Sequence, residues 1–340
     1  MHIVPPSTLP HADRVIARRQ VVLALAAGAL APFASFAQQQ PTKVARIGFL
    51  GVATASNMVS RVEALRTGLR DLGYVEGKNI VFEFRYADGK DARLAELAAE
   101  LVRLKVDVLV THTTVGVQAA KLATTTIPIV IAATADAVAT GLVASLARPG
   151  GNITGSTLFA LEIDAKRIEL LKNAVPRITR VACLLRPSAS SGPILQSMEL
   201  TARSLKVEVK KFELPESNEF DSNFSAMIKS GVDALVIHDD PVLSANAKAI
   251  AEFAAKHRIA SAGSAEFAEA GSLIGFGVNI FEMFRRAAYF VDKILKGAKP
   301  ADLPVEQATK FDFVVNMKTA KTLGIKFPNS ILVQATKVIE

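Results

Sequence analysis

Residues 106–112 read Val106-Asp107-Val108-Leu109-Val110-Thr111-His112, and residues 232–238 read Val232-Asp233-Ala234-Leu235-Val236-Ile237-His238. Each is a short run of β-branched and aliphatic residues with no polar alternation, the pattern of a strand buried on both faces. Further strand candidates surround the first copy at 44–50, 80–86 and 127–132, with amphipathic helices expected at 58–72, 91–104 and 116–123. The second copy sits in a similar series, with strands at 181–185, 207–212, 259–262 and 273–277. Arg46-Ile47-Gly48-Phe49-Leu50 in the first series also matches Arg180-Val181-Ala182-Cys183-Leu184 in the second. Strands that alternate with helices make βαβ units and a parallel sheet. The fold class is therefore α/β, with two Rossmann-like lobes separated near the turn Arg148-Pro149-Gly150-Gly151-Asn152.

The C-terminal tail suggests how the lobes are joined. A good amphipathic helix is expected at 281–295, ended by Lys296-Gly297, then extended pieces at 304–306 and 311–315, then a last helix at 317–323. A chain that finishes the second lobe and then adds these elements crosses between lobes more than once, which makes a hinge. The expected division is 44–156 plus 279–305 for lobe 1, and 157–278 plus 306–340 for lobe 2. Ligands bind at the carboxyl ends of strands in open α/β sheets, so the cleft between lobes is the expected site.

Residues 1–37 read as an export signal. Arg18 and Arg19 precede an apolar run at 21–30, and Ser35-Phe36-Ala37 is a small-x-small cleavage site followed by Gln38-Gln39-Gln40. The paired arginines resemble a twin-arginine signal, with Ala17 and Val21 departing from it. An ordinary Sec signal is the alternative. Either implies a periplasmic protein. No later apolar run reaches the roughly 20 residues of a membrane span, and no Cys follows the signal to anchor a lipid.

Composition narrows the function further. The formal charge of +8 falls to +6 without the signal, and no basic stripe interleaved with aromatics suggests nucleic-acid binding. Hydrophobic residues make up 50% of the chain, aromatics only 6%, and Trp is absent, which suits Val/Ile/Leu/Ala helices packed on a parallel sheet. Cys183, the single cysteine, lies in an apolar strand and reads as an inert buried thiol. There is no Gly-x-Ser-x-Gly elbow, no P-loop, no dinucleotide Gly-x-Gly-x-x-Gly after a strand and no His/Cys metal spacing. Neither catalysis, a metal nor a cofactor is expected.

Longer stretches carry a family resemblance. They include Gly68-Leu69-Arg70-Asp71-Leu72-Gly73-Tyr74-Val75-Glu76-Gly77-Lys78-Asn79-Ile80 and Thr140-Gly141-Leu142-Val143-Ala144-Ser145-Leu146-Ala147-Arg148-Pro149-Gly150-Gly151-Asn152-Ile153-Thr154-Gly155. The segment from Ala287 through Leu295-Lys296-Gly297-Ala298-Lys299-Pro300 to Gln307 is another. Together they are similar to the bacterial ABC-transporter substrate-binding proteins related to tryptophan- and tyrosine-binding ones, over essentially all of 44–340. The resemblance implies a type I periplasmic-binding fold, a small-molecule ligand and an inner-membrane ABC permease as partner. The departures fall at the expected cleft. Ala135-Asp136-Ala137-Val138 stands where the family usually reads Gly-Asp-Pro-Val. His238-Asp239-Asp240-Pro241 replaces Pro-Asp-Pro, and Arg186-Pro187 replaces Asn-Pro.

Candidate ligand residues follow from strand ends. Thr113 and Thr114 open a helix, where exposed N–H groups and hydroxyls suit a carboxylate; helix capping is the structural alternative. Asp136 suits an amine or hydroxyl, or else caps a helix expected at 140–146. In lobe 2, Arg186 with Ser188, Ser190 and Ser191 forms the matching anion-binding loop, and Arg186 is a candidate bidentate clamp. Asp240 parallels Asp136, and Ser264 and Asn279 follow later strands. His112 and His238 end equivalent strands, where a satisfied hydrogen-bond partner is the commoner role. Donors at one end and carboxylates at the other match a zwitterion such as an amino acid. The expected function is solute delivery to an ABC importer. A ligand sensor acting on a membrane receptor and an exported α/β enzyme are the alternatives.

Overall fold

A computed structural model describes His2 and residues 44–340 apart from 159, 189–190 and 215–219. The expected signal and its cleavage site thus lie outside the described residues, His2 excepted. The first half contains β1 (Ala45–Gly51), α1 (Ala55–Asp71), β2 (Ile80–Tyr86), α2 (Leu94–Arg103), β3 (Val108–His112), α3 (Thr114–Ala123), β4 (Ile129–Ala133) and β5 (Ile153–Thr157). Next come α4 (Ala160–Ala174), β6 (Arg180–Leu185), α5 (Ser191–Ser204), β7 (Glu208–Glu213), α6 (Phe220–Lys229), β8 (Ala234–Ile237), α7 (Pro241–Ala245), α8 (Ala247–Lys256), β9 (Ala260–Gly263), α9 (Ala265–Glu269) and β10 (Ile274–Val278). The tail adds α10 (Ile280–Leu295), β11 (Glu306–Gln307), β12 (Phe311–Asn316), α11 (Met317–Leu323), α12 (Asn329–Leu332) and β13 (Lys337–Ile339).

These strands form two sheets, ordered β11-β5-β4-β3-β1-β2 and β13-β12-β10-β9-β8-β6-β7. All pairings are parallel except β10 with β12. The order β5-β4-β3-β1-β2 reappears as β10-β9-β8-β6-β7, so the sequence echo between 106–112 and 232–238 is a repeat of architecture. Every residue of β3, β4 and β8 is buried, because helices cover both faces of each sheet. In the first sheet α1 and α10 pack on one face, with Phe49, Leu65, Phe284 and Phe290 at the contact. On the other face α2 and α3 enclose Leu50, Leu101, Leu109 and Val117. The α1–α10 contact is close: a Cβ on Gly68 would collide with the Arg285 carbonyl and come within 2.8 Å of the Ala288 Cβ.

The chain passes between sheets three times, after β5, after β10 and after β11. β11 pairs with β5 through Glu306↔Ser156 and Gln307↔Thr157. Thr157, Glu306 and Gln307 therefore stay in the first sheet, and the first and third crossings fall one and two residues beyond the expected boundaries at 156 and 305. One strand was not expected, and one expected helix is corrected. Residues 153–157 form a strand of the first sheet, although Ile153-Thr154-Gly155-Ser156-Thr157 lacks the apolar run that signals one. No helix forms at 140–146: Asp136 Oδ1 accepts the N–H groups of Val138 and Ala139, Gly141 adopts φ +68°, and Lys121 Nζ donates to the carbonyls of Gly141 and Leu142. Local turn bonds of this kind displace a short helix whose packing is weak.

Gly155 explains why β5 tolerates no side chain at its centre. It has φ +132°, and a Cβ there would collide with the Ile131 carbonyl and stand 2.6 Å from the Ile131 nitrogen. Neither backbone atom can move, because Ile131 and Gly155 are register partners. Gly155→Ala is expected to cost about 3 kcal/mol or more, combining a disallowed φ with backbone overlap. Urea unfolding measures it, and a loss below about 1 kcal/mol would place β5 elsewhere.

Candidate functional site

The carboxyl ends of both sheets open onto one cavity of about 940 Å³, counting the solvent at its mouth. Lobe 1 contributes the end of β3, the start of α3, the end of β4 and Arg61 of α1. Lobe 2 contributes the loops after β6 and β8 and the start of α9, and Leu158, Val278, Ile280 and Phe284 line the region near the crossings. The cavity is where the strand-end rule puts it.

The lobe 1 wall is built around the β3–α3 junction. Thr113 has φ +60° and ψ 158°, a strained conformation for a β-branched residue. Its N–H donates to the Ala133 carbonyl at 2.7 Å, and its Oγ1 accepts the Gly116 N–H at 3.3 Å. The N–H groups of Thr114 and Val115, the first two of α3, have no intrahelical acceptor and stand at the cavity wall. A helix of ten residues adds the positive end of its dipole there. Beside them His112 is buried, its Nε2 accepting the Val52 N–H at 3.2 Å, with Phe49 and Phe284 rings 6.2 Å and 5.7 Å away. Burial, reinforced by the Arg61 charge, pushes its protonation down to about 3. His112 is a neutral imidazole.

Lobe 2 is floored by a buried ionic network. Arg167 of α4 is fully buried. It donates to Asp164 Oδ1 at 2.6 Å, to both oxygens of Asp239 at 2.8 and 2.9 Å, and to the carbonyls of Ile237 and Phe276. Asp164 Oδ2 in turn lies 2.6 Å from His238 Nδ1. Burial alone would raise the Asp164 carboxyl, but His238 and Arg167 outweigh it and hold Asp164 below the usual carboxylate range. Asp240 caps α7, its Oδ1 accepting from Val242 and Leu243. Burial raises its carboxyl despite the opposing Arg186 charge.

Two ion pairs cross the cleft in opposite directions. Arg61 of lobe 1 donates to Glu266 of lobe 2 at 2.5 Å. Arg186 of lobe 2 reaches Asp91 of lobe 1 at 3.1 Å and the Gly89 carbonyl at 3.4 Å, while Asp240 of its own lobe lies 3.7 Å away. Both guanidinium side chains are less than a tenth exposed. The structure therefore represents a closed cleft with arginines spanning it.

The expected site residues separate accordingly. Thr113, Thr114, Arg186, Ser188, Asp240 and Ser264 line the cavity; Asp136, Ser191 and Asn279 do not. Ser190 lies outside the described residues. Asp136 serves its own turn. Ser191 Oγ accepts the Ser188 N–H and donates to the Arg186 carbonyl. Asn279 caps α10 by accepting the Glu282 N–H and reaches Asp312 across the third crossing. Ser264 Oγ is buried without a partner among the described residues. Arg61, Asp91, Asp239 and Glu266 were not expected. Nothing local marks them, since three of the four make their cleft contacts with residues of the opposite lobe and the fourth depends on buried Arg167.

Two α/β lobes closed over one cavity at the carboxyl ends of their strands have the architecture of a solute-binding protein, and no helix among the described residues is long and apolar enough to cross a membrane. Residues 47–339 match the family described as ABC transporter substrate binding protein, and the chain belongs to it. It is 28% identical over 260 residues to a tyrosine-binding protein of Clostridioides difficile strain R20291, covering 76% of this chain and 74% of that protein. A conserved domain protein of Vibrio cholerae superposes with a TM-score of 0.81 at 27% identity, covering 87% of this chain and all of the other. The ABC domain of Streptococcus pneumoniae in complex with L-Trp gives a TM-score of 0.78 at 27% identity, covering 86% of this chain and all of that one. Proteins of this family bind small molecules for an ABC permease, typically outside the cytoplasm, and are not enzymes as a class.

Proposed function

We propose that this chain is a periplasmic receptor that carries a zwitterionic amino acid to an inner-membrane ABC importer. The carrying observation is the division of charge across one cavity. The free N–H groups of Thr114 and Val115 suit a carboxylate. Asp91, Asp239 and Glu266 are each held by an arginine, and Asp240, whose Oδ1 caps α7 while its Oδ2 stays 3.7 Å from Arg186, is the lining carboxylate best placed for an amine. Phe284, Ile280 and Val115 supply an apolar surface for a side chain. The names of the tyrosine- and L-Trp-binding relatives favour an aromatic amino acid among zwitterions.

A thermal-shift screen of amino acids, small acids, purines and sugars tests this. A true ligand at about 100 times its dissociation constant stabilises the folded state by about 2.7 kcal/mol, a plainly visible shift. Shifts with sugars only would exclude the zwitterion. Export is tested separately by sequencing the N-terminus of protein from the periplasmic fraction. It should begin near Gln38, and an intact chain confined to the cytosol would refute the periplasmic assignment.

A further inference from the structure

His112 and His238 occupy matching places. One ends β3 and the other follows β8, strands that hold the same position in the repeated order of the two sheets, and both line the cavity. Their surroundings are opposite. Because His112 Nε2 accepts a backbone N–H, that nitrogen carries no proton and Nδ1 carries the hydrogen. His238 is held the other way round, with Nδ1 on Asp164, so its Nε2 is the edge left for the cleft. Arg167 fixes the arrangement from behind, gripping Asp164, Asp239 and the Ile237 carbonyl that precedes His238. Burying so many ionisable groups is costly relative to an apolar floor. What the network accomplishes is to fix one imidazole edge toward the cavity.

We propose that His238 is a specificity-determining residue whose Nε2–H donates to an anionic acceptor on the solute, a carboxylate in the first place. The inference rests on the solute-binding reading above and narrows it to ligands with an acceptor reachable from lobe 2. Five charged groups bear on His238: Asp164 and Arg167 from α4, Asp239 and Asp240 from its own loop, and Arg186 from the β6 loop through its ion pair with Asp240. Three carboxylates against two guanidinium groups favour the imidazolium. Burial works against the charged ring, yet Asp164 prevails and lifts His238 above its ordinary value of 6.5. Since Asp164 retains the Nδ1–H, the proton lost on raising the pH is the one on Nε2. A deprotonated Nε2 accepts and cannot donate, so affinity falls as pH rises through that value. His112 contributes no such change.

Nitrogen-15 histidine spectra of the ligand-free protein form the first arm of the test. His238 should keep a protonated Nδ1 while Nε2 titrates with a midpoint above 6.5, Asp164→Asn should lower that midpoint, and His112 should not titrate. Calorimetry with L-tyrosine between about pH 5.5 and 8.5, the range spanning an imidazole titration, forms the second. Wild-type affinity should fall roughly tenfold or more across it, the loss of one charge-assisted hydrogen bond. His238→Gln keeps a donor and should bind with little dependence on pH. Equal, flat affinity in wild type and His238→Gln would overturn the inference while leaving amino-acid binding intact. If L-tyrosine binds at no pH, the aromatic amino-acid reading fails instead. The spectra still decide the histidine: a midpoint at or below 6.5, or an unprotonated Nδ1, overturns it.

Discussion

Arg167→Met is expected to destabilise the protein by about 3–5 kcal/mol, a large share of the stability of an ordinary domain. The side chain is fully buried, and its removal takes an ionic partner from each of two carboxylates. Asp164, with only 1% of its side chain exposed, would then keep His238 as its ionic partner, and Asp239 would lose both hydrogen bonds to the guanidinium. The carbonyls of Ile237 and Phe276 lose their donor as well. The cost comes from leaving buried charge uncompensated, so neutralising the partners should recover much of it. Arg167→Met combined with Asp164→Asn and Asp239→Asn should unfold at a clearly higher urea concentration than Arg167→Met alone. A single-variant loss under about 1 kcal/mol would mean that the network is hydrated, and no floor of this kind would exist.

Arg186→Met carries the second large effect, and it separates two roles for one residue. From sequence, Arg186 is a candidate clamp for a ligand carboxylate. In the closed structure its guanidinium is directed at Asp91 and the Gly89 carbonyl of the opposite lobe, with Asp240 beside it. The pair is only part-buried, so removing Arg186 is expected to cost about 2 kcal/mol, roughly a thirtyfold loss in apparent affinity. If Arg186 acts as a clasp, its removal lowers affinity by depopulating the closed state, since only that fraction binds with full strength. The ligand-free variant should then be more open than wild type by small-angle scattering. Asp91→Asn should open it in the same direction, although Asp91 is a third exposed and its effect smaller. Lost affinity with unchanged ligand-free scattering in both variants would return Arg186 to the role of ligand clamp.

Much of the fold is readable in the chain itself. Runs such as Val108-Leu109-Val110 and Leu235-Val236-Ile237 have no polar face, so only a sheet covered on both sides can bury them. Two such series with similar strands foretell two similar sheets. The β3–α3 junction is legible for the same reason, because a strand end followed by hydroxyl residues is a helix start in any context. The fifth strand is not, since Ile153-Thr154-Gly155-Ser156-Thr157 owes its extended form to pairing with β4 and β11. Asp136 shows the limit from the other side. Its spacing from Val138 and Ala139 satisfies a local turn through Oδ1, and that turn lies outside the lining of the cavity.

The sequence by itself determined the α/β class, the duplicated sheet and the loops that meet the cleft, because buried strands and helix starts are encoded in residues close together along the chain. Tertiary structure alone decided how the charges lining the cavity are paired. Arg61 and Glu266 are 205 residues apart, and Arg186 and Asp91 are 95 apart. A salt bridge depends on distance in space and on exclusion of water, and neither has a period in sequence. The two histidines make the point most simply: they end equivalent strands, yet a backbone N–H keeps one neutral and a buried carboxylate favours the proton on the other.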